Sequence, residues 1–480
     1  MRFLGSIAWS SVAALCLLAI ASHAQTVADT PPMGWNSWDA YGLTITESQF
    51  RDNVKMLKDK LAPSGWNYAV IDEGWYFENP QDRAKPDTLH YALDQYGRYV
   101  PVPARFWSAG QDVKPFITID AGAKPKLAAT IEDTSFTALG AWVHSQGLKF
   151  GIHIIRGIPR ASVERNLPIE GSSFHAIDAA DTTDACPWDP TSWGVKDNPA
   201  GQVWYDSLMK QYAAWGIDLI KVDCIGDHPY KLSEIRQIRR AIDKTGRPIV
   251  LSLSPGPMNF IYADEVGHFA NMWRISDDEW DVWSAGSKGS PQGIASFPQG
   301  VKDQFPRFAT WENYAKPGTW PDGDMLALGQ LGPHPGYGAA RTSRFTPDER
   351  KTLLTLWSIA RSPLIVGANL TQLDDATLKL LTNTDIISLD QQGQGQHEAL
   401  HDGDLVIWRS HLPDGHEALA VFNLSDASMT VQRSLASIEP DLAGQVWKAR
   451  DVWAGQYLPG TFSSLDTKLP PHGCQLLILH

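Results

Sequence analysis

The sequence predicts an α/β fold: a (β/α)8 TIM barrel over residues 25–392 and a small antiparallel β-sandwich over 393–480. Three observations lead there. From about residue 30 to 390, short apolar runs alternate with stretches of helical apolar spacing, the mark of a parallel sheet covered by helices. The number of such units favours a closed barrel over an open doubly wound sheet. Beyond "IISLDQQGQGQ" (386–396) the texture changes to strand-like runs between turn residues.

Taken in order, "MRFLGSIAWSSVAALCLLAIASHA" opens the chain with Arg2, an apolar run to Ile20 and the small-residue site Ser22-His23-Ala24. That pattern predicts a signal peptide over 1–24 and export to the periplasm or the medium. The apolar run is too short for a membrane span, and no later segment is long enough. The strand-like runs are "NYAVID" (67–72), "LKFGIHI" (148–154), "DLIKVD" (218–223), "PIVLSLS" (248–254), "MWRIS" (272–276) and "SPLIVGA" (362–368). Helices are expected at 47–61, 137–147, 203–216 and 232–246. Stretches 76–135 and 156–200, rich in Pro, Gly and Asp, follow barrel strands, where binding loops belong. In the sandwich, "DLVIWRS", "EALAVFNLS", "MTVQRSL", "VWKARDVW" and "CQLLILH" read as strands. They show no obvious aromatic platform, which favours a structural role.

Bulk composition narrows the partners. The formal net charge of −13 disfavours nucleic acid and suits a neutral substrate. No zinc-ligand spacing or phosphate-cradling glycine loop appears, so neither metal nor cofactor is expected. Twenty tryptophans favour a carbohydrate substrate mildly, since aromatic faces suit the C–H faces of sugars. Of four cysteines, Cys16 leaves with the signal. Cys186–Cys224 is the preferred disulfide in an exported protein, with Cys474 free or buried.

Three of the apolar runs end in acid: Asp72 with Glu73, Asp223, and Asp277 with Asp278. A lone acid at such a place is usually a helix cap or a loop ion pair. Three of them converge on the mouth of a parallel barrel, where catalytic groups sit. Two carboxylates across a mouth suit glycoside hydrolysis, one attacking the anomeric carbon while the other protonates the leaving oxygen. The nucleophile must stay charged, and a nearby cation lowers its pKa. Lys221 and Asp223 share one face of a strand and meet that need.

These residues lie in motifs that resemble glycoside hydrolase family 27, the α-galactosidases, α-N-acetylgalactosaminidases and their relatives. The motifs are "PPMGWNSWDAYG" (31–42), "YAVIDEGW" (68–75), "VHSQGLKFGIH" (143–153), "WGIDLIKVDC" (215–224), "MWRISDDEWDVW" (272–283), "KPGTWPDGDML" (316–326) and "SPLIVGANL" (362–370). The resemblance implies Asp223 as nucleophile and Asp278, four residues after Arg274, as acid/base, with Asp277 in reserve. It implies retention of configuration and two carboxyls roughly 5–5.5 Å apart. Arg274 and Lys221 match sugar-hydroxyl contacts, Trp38 the platform below the ring, and Asp72 a ligand of the far-side hydroxyls. Two departures surround the sugar: Glu73 where the family usually has Asp, and His153 where it usually has Tyr. "SLSPGP" also departs from the usual fifth-strand segment, and Arg156 near the mouth is either a substrate contact or a loop ion pair. Glu is one methylene longer than Asp and crowds the place of a C6 hydroxymethyl. Against that, His153 opens room for the loop to readjust, and the leading expectation is an exo-acting enzyme on terminal α-D-galactosyl residues of plant oligo- or polysaccharides. The alternatives are a β-L-arabinopyranosidase of the same mechanism and a sugar-binding protein on an inactive scaffold.

Overall fold

The computed structural model describes residues 27–82, 89–110, 118–120, 128–131, 134–189, 191–227, 229–284, 298–332 and 339–480. The expected signal peptide lies outside the described residues. Eight parallel strands form one sheet: β1 (Met33–Asn36), β2 (Tyr68–Ile71), β3 (Lys149–Ile155), β4 (Leu219–Asp223), β5 (Val250–Leu253), β6 (Met272–Arg274), β7 (Trp320–Asp322) and β8 (Leu364–Val366). Their spatial order is β7-β6-β5-β4-β3-β2-β1-β8. Leu326, just past β7, closes the ring: its N–H donates to Ile365 O at 2.7 Å and its O accepts from Gly367 N at 3.2 Å. The predicted barrel is thus the observed architecture.

The six apolar runs became β2 to β6 and β8, each within a few residues of the expected bounds. Strands β1 and β7, four and three residues long, were not expected as strands. Among the helices, α1 (Glu47–Met56) begins at a capping box in which Thr46 and Gln49 satisfy each other's backbone N–H. It continues as a π-helical turn over Leu57–Leu61. Next come α2 (Thr137–Ser145), α3 (Pro199–Ala214) and α4 (Leu232–Thr245), all at expected places. Asn198 accepts from Gly201 N at 2.8 Å to cap α3, and Pro199 opens the helix where no N–H is needed. Helices α5 (Ala263–Val266), α6 (Val301–Trp311) and α7 (Pro347–Ala360) complete the alternation up to β8.

Inside the barrel the inward side chains change character with height. On β4, Leu219 lies low, Lys221 above it and Asp223 at the mouth; β2 repeats this with Tyr68, Val70 and then Asp72, and β6 with Met272 and then Arg274. The low layer of Tyr68, Val70, Leu219, Val250, Met272 and Trp320 forms its own apolar cluster. Above it remains a cavity of about 30 Å3 reaching Asn36, Lys221, Ser252, Arg274 and Asp324. A Cβ at Gly151 on β3 would meet Val70 at 2.8 Å, so the narrow ring takes a glycine there.

The second domain is built on a six-stranded antiparallel-paired sheet of β9 (Gln394–Asp402), β10 (Leu405–His411), β11 (Glu417–Asn423), β13 (Ala449–Asp451), β14 (Gln456–Tyr457) and β16 (Cys474–Leu479). The pair β12 (Met429–Ser434) and β15 (Ser464–Leu469) covers one face. Val406, Trp408, Ala418, Ala420, Phe422 and Leu476, from the other face, belong to the barrel's apolar core. Both faces are therefore buried, which explains the unbroken apolar strings "LVIW", "ALAVF" and "LLIL".

Candidate active site

Each catalytic candidate stands at or just past the C-terminal end of a strand. Asp223 ends β4; its Oδ1 accepts from Cys224 N–H at 2.7 Å and its Oδ2 lies 3.4 Å from His153 Nε2. Register places Lys221 beside His153 of β3 on one side and Ser252 of β5 on the other. Burial alone would raise the Asp223 pKa, but the His153 hydrogen bond and charge, Lys221 and the Cys224 N–H bring it below the ordinary carboxylate value.

The pairing differs from the sequence expectation in one respect. Lys221 does not bond Asp223; its Nζ donates to Asp72 Oδ2 at 2.9 Å and acts on Asp223 through space. Strand alternation identifies the face a side chain shares but not its neighbour across the barrel. Asp72 is fully engaged: Asn36 Nδ2 donates to Oδ2 at 2.6 Å, and Glu73 N–H to Oδ1 at 2.9 Å. Despite burial, Lys221 and His153 hold its carboxyl well below the usual range. His153 in turn is pushed down by burial, yet Asp72 and Asp223 outweigh this and raise it.

Arg274 organises the other half of the site. Its Nη2 lies 3.2 Å from Asp278 Oδ1 and 2.8 Å from Asp324 Oδ2. The Asp278 side chain is 32 % exposed, against 16 % for Asp223 and 3 % for Asp324, so it is the most open carboxylate of the three. Asp324 is pushed up to about 7, by burial first, with Asp278 and Asp322 adding to it against Arg274. The charges are continuous, since Lys221 feels Asp72, Asp223 and Asp324, and Asp324 feels Arg274 and Asp278.

Of the other expected residues, Trp38 lies in the helical turn Trp38–Tyr41 after β1 and is buried. Glu73 is buried beside Asp72. "SLSPGP" lies against the end of β6, where a Cβ on Gly256 would meet Ser276 O at 2.4 Å. The expected Cys186–Cys224 disulfide is formed, with Cα atoms 6.0 Å apart, and Cys474 is free, its thiol pushed up to about 11 by burial. Arg156 is an ion-pair residue: it is buried, and its guanidinium bonds Asp184, Glu234 and the Cys224 carbonyl.

Sequence reasoning missed Asp39, Asp324 and Glu279. Asp39 and Glu279 are buried, and both are held well above the ordinary carboxylate range, by burial first and then by Asp324. A signal was present: Asp39, Glu279 and Asp324 all stand inside quoted motifs. Among the described residues no cluster of three or more His, Cys, Asp or Glu side chains is arranged to hold a metal ion. No described helix is long and apolar enough to cross a membrane.

A barrel whose mouth gathers strand-end carboxylates around a lysine and an arginine is the framework of a glycoside hydrolase. The family model described as Alpha galactosidase A matches residues 191–392, and that of the Alpha galactosidase C-terminal beta sandwich domain matches residues 402–479. A GH27 β-L-arabinopyranosidase from Geobacillus stearothermophilus, solved as an aspartate-to-alanine variant with arabinose, is 39% identical with a TM-score of 0.82; the match covers 94% of this chain and 97% of that one. Alpha-galactosidase A from Cellvibrio japonicus is 27% identical over 96% of this chain and 94% of its own. The alpha-galactosidase of Cyamopsis tetragonoloba is 26% identical over 94% of this chain and 86% of its own. The chain belongs to glycoside hydrolase family 27.

Proposed function

We propose that this hydrolase is a retaining exo-glycosidase that releases terminal β-L-arabinopyranosyl residues, with α-D-galactosyl residues as the second reading. Glu73 carries the choice. It is 3 % exposed, and its N–H is tied to Asp72 at 2.9 Å, so the extra methylene is directed from a fixed backbone. The two sugars share a ring configuration and differ in the hydroxymethyl group that this side chain crowds. The 39% identity to an arabinopyranosidase, against 27% to an α-galactosidase, supports the same order.

In the proposed mechanism the ionised Asp223 attacks the anomeric carbon while Asp278 gives its proton to the leaving oxygen. The glycosyl ester on Asp223 then breaks as Asp278 takes a proton from water, and configuration is retained. Lys221, Asp72 and Arg274 hold sugar hydroxyls, and Trp38 supports the ring. Plant oligo- and polysaccharides are the proposed source of these terminal sugars.

Hydrolysis of an aryl β-L-arabinopyranoside and an aryl α-D-galactopyranoside, measured side by side, tests the reading. Faster release from the arabinoside is expected. Glu73→Asp should move the ratio of kcat/KM values toward the galactoside by about 10-fold or more, the scale of one methylene in a closed pocket. Faster galactoside release by the unaltered enzyme would establish the second reading instead.

Export is proposed on the pattern of residues 1–24 and on a disulfide that suits an oxidising compartment. The mature protein should begin at Gln25 when sequenced from its N-terminus; an intact Met1 in active protein would count against it.

A further inference from the structure

We propose that Arg156 is a positioning residue for Asp223, acting through the two peptide groups that flank Cys224; the inference rests on Asp223 being the nucleophile. Cys224 has φ +62°, a left-handed conformation that a residue with a Cβ enters at a cost and keeps only where its surroundings fix it. Arg156 supplies two of those constraints. Its backbone N–H donates to the Asp223 carbonyl at 3.2 Å, and its Nε–H donates to the Cys224 carbonyl at 2.6 Å. One residue of β3's outgoing turn thus grips the peptides on both sides of the strained residue.

The first of those peptides orients the carboxylate. Its N–H, that of Cys224, donates to Asp223 Oδ1 at 2.7 Å. Turning this peptide would carry the N–H away and let the carboxylate swing. The Arg156 side chain is itself fixed, being 2 % exposed overall. Its Nη1 and Nη2 fork onto Asp184 at 2.9 Å each, and Nη1 also donates to Glu234 at 2.8 Å. Tyr205 O–H donates to the second Glu234 oxygen, and Lys231 Nζ donates to Asp184 at 2.7 Å. Asp184 lies two residues before Cys186, so the ionic clamp and the disulfide anchor the same loop to the same end of β4. A planar fork with a separate Nε–H fits this set of acceptors; a lysine ammonium does not.

The test is Arg156→Lys, measured on an aryl glycoside and by calorimetric binding of the free sugar. Expected is a loss in kcat of about 10- to 100-fold, the scale of a misplaced reacting group, with KM and sugar affinity changed by less than about threefold. The same substitution is then placed in an Asp223→Ala background supplied with azide. There azide bonds to the anomeric carbon, the bond to the aryl oxygen breaks and the aryloxide departs, giving a glycosyl azide. With the positioned carboxylate gone, Arg156→Lys should change this rate less than about threefold. An unchanged kcat in the first background, or equal losses in both, would overturn the proposal. Full turnover by Asp223→Ala without azide would instead overturn the nucleophile assignment. Should Arg156→Lys fail to fold, Glu234→Gln, which loosens the far side of the guanidinium, should give the same kcat-only pattern at smaller size; a loss confined to KM would overturn the proposal.

Discussion

Asp223 keeps its charge through its neighbours, and their removal has a calculable sign. His153 is the largest influence lowering its pKa against burial. His153→Phe should therefore raise the Asp223 pKa, and the acid limb of the kcat/KM profile should move to higher pH. A limb that stays in place would show that another group sets it. The pair also has a window of stability. Asp223, with a lowered pKa, contributes above the ordinary carboxylate value of about 3.9, and this is lost as pH falls through its folded value. His153, with a raised pKa, contributes fully below about 6.5, and this is lost as pH rises through its folded value. Asp223→Asn removes the charge proposed to attack and preserves the shape. Turnover should be abolished while calorimetry still detects the bound sugar; residual hydrolysis near the unaltered level would exclude Asp223 as nucleophile.

The single element that matters most is β4 with its outgoing turn. The Cys186–Cys224 bond spans 38 residues and closes the β3–α3 loop onto that turn. Chain-entropy arguments give such a closure about 4 kcal/mol. Reduction should lower the midpoint of denaturant unfolding, and Cys186→Ser should do likewise without touching the strained residue itself. Equal stability of the oxidised and reduced protein would show that the loop is held by the Asp184 and Glu234 ion pairs alone. Elements of this kind were legible in the sequence wherever they were long or strictly patterned. "LIKVD" announced both strand and site, because Lys and Asp are rarely buried in an apolar strand unless they are paired there. Strands β1 and β7 were not legible, since "MGWN" and "WPD" are too short to show a period and exist as strands only by pairing with β2, β8 and β6. The polar "QGQHEALHD" of β9 hid for another reason: most of its residues are half-buried or exposed at the sheet's edge. At the site, the acids at strand ends could be read, but Lys221 bonding Asp72 and Arg274 joining Asp278 to Asp324 are contacts across or between strands that spacing does not encode.

At the scale of the whole molecule, the second domain is part of the barrel's core. Phe422 is fully buried and meets Phe305 of α6 with ring centroids 5.0 Å apart. Trp453 Nε1–H donates to Thr355 of α7 at 3.0 Å, and Thr352 O–H to the His472 carbonyl at 2.7 Å. Phe422→Ala should cost about 3–5 kcal/mol in unfolding free energy, as for other large core truncations. Stopping the chain after Gln392 should leave apolar surface of α7 uncovered and yield aggregated protein. A soluble, active truncation would show that the barrel stands alone. Treatment with a chelator should leave hydrolysis unchanged, because the proposed chemistry runs on carboxylates alone; lost activity restored by added metal would refute that mechanism.

The apolar layer of Tyr68, Leu219, Val250, Met272 and Trp320 makes the barrel a cup with a floor. Its mouth is the doorway. For the double displacement proposed here, the leaving alcohol must clear that doorway before water can reach the sugar held on Asp223. Any small alcohol entering in water's place becomes an acceptor, so methanol should divert part of the product to the methyl glycoside of unchanged configuration. In the proposed exo-acting mechanism the freed monosaccharide departs last and takes the place of the next chain end, so competitive inhibition by the free sugar is expected. In the proposed double displacement the order of departure follows from the covalent step, and the apolar floor sends both products out through the mouth.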